Sequence, residues 1–148
     1  MKNLIEVEVE NVIFIRNDEG DNSFLVLLNE KDGKRVLPIN VGLFEAQAIA
    51  RAKEGIKTER PLTHDLIINI FKELDVKIEK VIINDLIKDV FYARIIVRKD
   101  DKLLSIDARP SDSIAIAILA NVPIFVSSSV MERASQEIEE DENGGLEA

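Results

Sequence analysis

A junction between a strand-like run and an apolar helix occurs twice in this chain, 67 residues apart, and it limits the possible folds more than any other feature. The first copy runs from Val36-Leu37-Pro38-Ile39-Asn40 to Ala48-Ile49-Ala50. The second passes through Asp107-Ala108-Arg109-Pro110-Ser111-Asp112 into Ser113-Ile114-Ala115-Ile116-Ala117-Ile118. Setting residues 36–52 against 103–119 matches five of 17 positions: Leu37, Ile39, Ala48, Ile49 and Ala50 with Leu104, Ile106, Ala115, Ile116 and Ala117. Glu45 falls opposite Asp112, and Phe24 opposite Phe91. Both halves, about 4–75 and 76–135, read as three strands followed by two helices. The expected product is one α+β domain over 1–135, its six main strands forming a highly curved, mostly antiparallel sheet with helices packed outside.

Local patterns supply the elements. Glu6-Val7-Glu8-Val9-Glu10 alternates with period two, which predicts a half-buried strand within 4–16. A turn cluster, Asp18 to Asn22, precedes a strand at Phe24–Leu28, and Lys31-Asp32-Gly33-Lys34 is a hairpin connection of the Asp-Gly type leading to a strand at Arg35–Ile39. An Ala-rich helix is expected from Gly42 to Glu54, ended by Gly55. After a polar link at 57–61, Thr63 is the expected N-cap of a helix that buries Leu66, Ile67, Ile70, Phe71 and Leu74. Strands follow at 77–84, 90–98 and 102–107, then a helix at 110–120 that is apolar on every face and so buried. A short strand at 123–126 and an amphipathic helix at 129–140 complete the pattern.

Composition narrows the chemistry. Cysteine is absent, which removes disulfides, thiolate nucleophiles and Cys-based zinc sites. With a single histidine, a metal site would need mainly carboxylate oxygen, which favours Mg²⁺, Mn²⁺ or Ca²⁺. Net charge is −9, adverse to tight nucleic-acid binding, but residues 136–148 carry six acids and no base. That acidic, flexible tail is either a solvated, frayed end or a cover over a basic groove. The longest apolar run, Ile114 to Val126, is broken by Asn121 and Pro123 and falls short of the roughly 20 residues a membrane helix needs. The first residues do not form a signal peptide, so the expected location is the cytoplasm, with no membrane. Abundant Ile, Lys and Glu lean towards a thermophilic source.

Two charged clusters could carry function. In the first, Asp107 ends a strand while Arg109 and Asp112 begin a helix. Capping accounts for Asp112, and for Glu45 in the first half, because an acid in the first turn complements the helix dipole. It does not account for Asp107 and Arg109 together, though an internal ion pair would. The functional alternative has Asp107, Asp112 and Glu45 presenting oxygens to a divalent ion while Arg109 grips phosphate. In the second cluster, Arg60-Pro61-Leu62-Thr63-His64-Asp65, His64 is either simply exposed beside capping residues or a general base or metal ligand oriented by a neighbouring carboxylate. Phosphate-loop, dinucleotide, His-Glu-x-x-His and nucleophile-elbow motifs are absent. With no Trp and one Tyr, a stacking platform for single strands is not expected.

Taken in order, Leu37-Pro38-Ile39, Glu45-Ala46-x-Ala48-Ile49-Ala50, Arg60 to Leu66, Phe91-Tyr92-Ala93, Asp107 to Ala115 and Pro123-Ile124-Phe125-Val126 resemble the bifunctional nuclease domain family. The resemblance covers about residues 4–131 and looks closest to a stand-alone bacterial member from a thermophile. It implies a duplicated three-strand, two-helix fold with a barrel-like sheet, frequent homodimers, and, from plant members, degradation of both DNA and RNA. The expected function is therefore hydrolysis of phosphodiesters with little sequence specificity. His64, Asp65, Asp107 and Asp112 would be catalytic, Arg60, Arg109 and Ser111 would bind substrate, and Glu45, Asp107 and Asp112 would hold Mg²⁺ or Mn²⁺. The rivals are a non-catalytic dimeric binding or regulatory module with structural charges, and a small-anion sensor at the two helix N-termini.

Overall fold

The computed structural model describes residues 3–137, 139–140 and 146–147. The first half supplies β1 (Leu4–Arg16), β2 (Asn22–Glu30), β3 (Arg35–Val41), α1 (Leu43–Glu54) and α2 (Thr63–Glu73). The second supplies β4 (Lys77–Ile87), β5 (Val90–Lys99), β6 (Lys102–Ala108), α3 (Pro110–Ala120), β7 (Ile124–Ser127) and α4 (Ser128–Ala134), followed by a two-residue β8 (Gln136–Glu137). β3 and β6 begin 67 residues apart, as do α1 and α3.

One mixed sheet has the order β6-β5-β4-β7-β1-β2-β3-β8. Each half is an antiparallel meander, and β7 is the seam between them. It pairs antiparallel with β1 and parallel with β4, so that Ile124 lies opposite both Val7 and Val81. All three side chains are buried, which makes the seam part of the core. The sheet is α+β and mostly antiparallel, as expected, but it is not a closed barrel. β6 and β8 stand at its two ends and do not pair with each other. α3 packs on β4 and β5 and touches both α1 and α2. Its Ile114, Ala115, Ile116 and Ala117 are all buried, and the alanines let the flanking helices approach closely.

Several local expectations need correction. The strand match of Phe24 to Phe91 is out by two residues. The β2–β3 connection has four residues and the β5–β6 connection two, so Phe24 faces Val41, whereas the equivalent partner, Ala108, faces Ala93. Thr63 does not cap α2. Leu62 is the N-cap, and the Asp65 carboxylate accepts from its backbone N–H at 3.0 Å. α2 also turns a different face inward. Ile67, Ile68 and Phe71 pack on the core, while Leu66, Ile70 and Leu74 are exposed. The helix carries two apolar stripes, and among the described residues only the one against α3 and β4 finds a partner. Finally, the helix expected at 129–140 stops at Ala134, because Gln136 and Glu137 extend to pair with Val36 and Arg35 on the free edge of β3. Most of the remaining acidic tail lies outside the described residues; Glu139–Glu140 and Leu146–Glu147 form a small separate pairing. No helix among the described residues is long and apolar enough to cross a membrane.

Candidate functional site

The first turns of α1 and α3 lie side by side, and α2 brings its own first turn to the same place. Arg109, the N-cap residue of α3, bridges the two equivalent acids. Its Nε donates to Asp112 Oδ2 at 3.0 Å, and its Nη2 reaches Glu45 Oε2 at 3.4 Å. The other Asp112 oxygen, Oδ1, lies 2.9 Å from His64 Nε2. Glu45, Arg109, Asp112 and His64 thus form one continuous polar chain across three helix N-termini. Asp112 does not cap its own helix. Burial pushes its carboxyl up, but hydrogen bonds from Arg109 and His64, with the Arg109 charge, outweigh burial and hold it below the ordinary aspartate value. In turn, the hydrogen bond and charge of Asp112, aided by Glu45, push the Arg109 guanidinium up.

Backbone detail supports this geometry. Gly42, the N-cap of α1, has an ordinary φ of −77°. A Cβ there would stand 2.2 Å from Glu45 Oε1, so glycine is what allows Glu45 to fold back towards Arg109. At α3, the Ser113 hydroxyl donates to the Arg109 carbonyl at 3.0 Å. Pro110 follows Arg109 at the first helical position, where a missing N–H costs nothing.

The polar chain borders a cleft of about 620 Å³ between α1, α2, α3 and β6. His64, Asp112, Arg109, Glu45 and Asp107 all line it. Asp107, however, is not joined to the chain. Its side chain is 74% exposed and sits 3.6 Å from Arg94, its cross-strand neighbour on β5. The expected Asp107–Arg109 ion pair is therefore replaced by Asp112–Arg109. The carboxylate that orients His64 is Asp112, not the adjacent Asp65, which is committed to capping. Ser111 is buried and lines a second concavity of about 430 Å³ on the far side of the Arg109–Glu45 bridge. Arg60 is exposed and borders neither concavity. Among the described residues no three His, Asp or Glu side chains are gathered to hold a metal ion. Arg109 fills the place between Glu45 and Asp112 that a divalent ion would need, so this donor set does not fit Mg²⁺ or Mn²⁺ as arranged.

Sequence reading overlooked two lining residues, Arg51 and Phe44. Arg51 follows the duplicated Ala48-Ile49-Ala50 motif at the position where the second half has Ile118. A charge standing in place of an apolar side chain within an otherwise matched helix is the signal that would have found it.

Comparison with known proteins gives consistent results. A sequence model described as bifunctional nuclease domain matches residues 26–139. A Mycobacterium tuberculosis protein (strain CDC 1551 / Oshkosh), named as an uncharacterized protein, is 42% identical over 123 residues, covering 83% of this chain and 73% of that protein. Bifunctional nuclease 1 of Oryza sativa subsp. indica is 26% identical over 132 residues, covering 87% of this chain and 40% of that protein. The bifunctional nuclease of Oryza minuta matches to the same extent.

Proposed function

This chain belongs to the bifunctional nuclease domain family, and on that premise we propose that it hydrolyses phosphodiester bonds of DNA and RNA with little sequence specificity, in the cytoplasm. The observation that carries the reading is the 2.9 Å contact between His64 and Asp112 beside Arg109, at the edge of an open cleft. Asp112, held ionised, can only accept, so the proton of the neutral imidazole sits on Nε2 and the lone pair on Nδ1. On this reading Nδ1 takes a proton from water as the water oxygen attacks phosphorus. The bond from phosphorus to the leaving sugar oxygen then breaks, that oxygen takes a proton from solvent, and the imidazolium returns its own proton to solvent. Arg109, 64% exposed at its side chain, turns its remaining donors to the phosphoryl oxygens, where negative charge develops. Glu45 and Asp112 position Arg109.

The test is hydrolysis by rigorously purified protein. His64→Ala is expected to lower kcat by about 100-fold or more, the usual share of a general base. Unaltered activity in His64→Ala and Asp112→Asn would assign the hydrolysis to a contaminant. EDTA treatment separates this scheme from one in which Glu45, Asp107 and Asp112 hold Mg²⁺ or Mn²⁺. Activity lost with EDTA and restored by Mn²⁺ would put an ion where Arg109 now stands. The three-helix bridge also suits a non-catalytic module in which the charges are structural. Blank assays, joined to a sharp fall in melting temperature for Asp112→Ala, would favour that reading.

The working unit on this reading is a homodimer joined through β6. Among the described residues that strand pairs only with β5, and it exposes both faces, with Leu103 and Leu104 open to solvent. Antiparallel pairing with the same strand of a second copy brings the Lys102 end of one against the Asp107 end of the other.

A further inference from the structure

Beyond the charged chain, the cleft has two features that the hydrolytic scheme does not use. The first is Arg51. Glu45, Ala48 and Arg51 line the cleft from one stripe of α1, and the small Ala48 leaves open space between the two longer side chains. The Arg51 Nε is buried and has no hydrogen-bond acceptor among the described residues. A buried donor left unpaired is costly, and such groups are retained where an acceptor arrives from outside. The nearby acid, Glu45, is already engaged with Arg109 at 3.4 Å. The second feature is the apolar wall. Phe44 is 76% exposed although it borders the cleft, and Ile67, Phe71 and Ile106 continue the apolar surface inward.

A ligand matched to these walls combines a flat, weakly polar body with anionic groups about one nucleotide apart. Glu45, which holds Arg109, and Arg51 are separated by six residues, about 9 Å along a helix axis. Flexible guanidinium side chains close that interval to the spacing of neighbouring phosphates in a single strand. A volume of about 620 Å³ suits one nucleotide and its flanking phosphates. A base can lie against aromatic and aliphatic side chains only when it has left its pair and its stack. Inorganic phosphate would leave the apolar wall bare, and a duplex would present no free base to it.

We propose that the cleft is a single-nucleotide pocket: Arg109 holds the scissile phosphate, Arg51 the adjoining phosphate, and Phe44 with Ile67 and Phe71 the unpaired base between them. This rests on the hydrolytic reading for the role of Arg109 and names its substrate class, a single strand or frayed end. The low count of aromatic residues is offset because two of the six phenylalanines border the same cleft.

Equilibrium binding tests the pocket without any turnover. The probes are adenosine 3′,5′-bisphosphate, adenosine monophosphate and inorganic phosphate, measured by calorimetry on the intact protein. The bisphosphate is expected to bind about tenfold tighter than the monophosphate, the worth of one added charge-assisted contact. Arg51→Gln should bring that ratio close to one, and Arg51→Lys should restore part of it. Phe44→Ala should weaken both nucleotides by a similar factor and leave inorganic phosphate unchanged. On the wild-type protein, NMR contacts between adenine protons and the Phe44 ring are expected. A ratio that Arg51→Gln leaves intact, or adenine that gives no contact to Phe44, overturns the pocket even if hydrolysis proves genuine. Conversely, these binding results can hold where His64→Ala leaves activity untouched, in which case only the catalytic scheme is lost.

Discussion

Asp112 takes hydrogen bonds on each of its two oxygens, one from a guanidinium and one from an imidazole, and this makes it the centre of the polar chain. Its carboxyl lies below the ordinary value of 3.8, so the unfolded chain binds the proton more tightly than the folded one. Stability from this group is therefore complete above about pH 4 and drains away as pH falls through the lowered folded-state value. Thermal melts of wild type and Asp112→Asn should be separated at neutral pH, by a few degrees for the loss of about 1–3 kcal/mol of charge-assisted bonding, and should converge as pH drops below the ordinary aspartate range. A gap that stays constant to pH 2 would show that the carboxylate charge contributes nothing. Much of this centre was legible residue by residue. Glu45 and Asp112 fell opposite each other in the duplicated motif, and His64 and Arg109 stood out by type. The partners were not legible. Asp65 and Asp107 lie closer in sequence to His64 and Arg109 than the groups that bind them, and only the packing of three helix starts decides between near and distant acids.

At the scale of elements, periodicity located nearly every strand and helix, and it failed where two structures were locally equivalent. α2 has apolar residues on two stripes, so its register on the core followed from its neighbours and not from its own pattern. The end of α4 was misplaced because 135–140 is helix-compatible, and the pull of an unpaired β3 edge is a long-range effect. Turn chemistry was similarly indirect. In the Lys31–Lys34 connection Gly33 has no positive φ; a Cβ there would stand 2.1 Å from Glu30 Oε1, and Glu30 closes the hairpin by bonding Arg35 at 2.7 Å. The tighter β4–β5 turn has the opposite character. Lys88 and Asp89 both adopt positive φ, 50° and 64°, in a two-residue connection that favours Asn-Gly. Replacing them as Lys88→Asn with Asp89→Gly should raise stability by about 1 kcal/mol, read from urea unfolding, because left-handed backbone costs most L-residues roughly that amount each. No gain in the urea midpoint would mean that the side chains already offset the strain.

For the whole molecule, the two ends of the sheet are treated differently. The β3 end is covered by β8 and approached by α4, whereas among the described residues no strand pairs on the outer edge of β6. If β6 is the dimer edge, light scattering should give twice the chain mass. Leu103→Lys with Leu104→Lys should reduce it to that of one chain without unfolding, since both side chains are exposed. A single-chain mass for the wild-type protein at high micromolar concentration would remove the dimer from the functional reading. The 67-residue offset between β3 and β6, and between α1 and α3, was visible in the sequence. The openness of the sheet was not, because whether a sheet closes depends on which strands meet at its ends.

The seam strand has a consequence for synthesis. Leu4 of β1 pairs with Ser127, so this strand acquires its second neighbour only after more than a hundred further residues have been translated. Until then the nascent β1–β3 meander keeps an unshielded flank, and it is the late arrival of Ile124–Ser127 that locks the two meanders into one cooperative body.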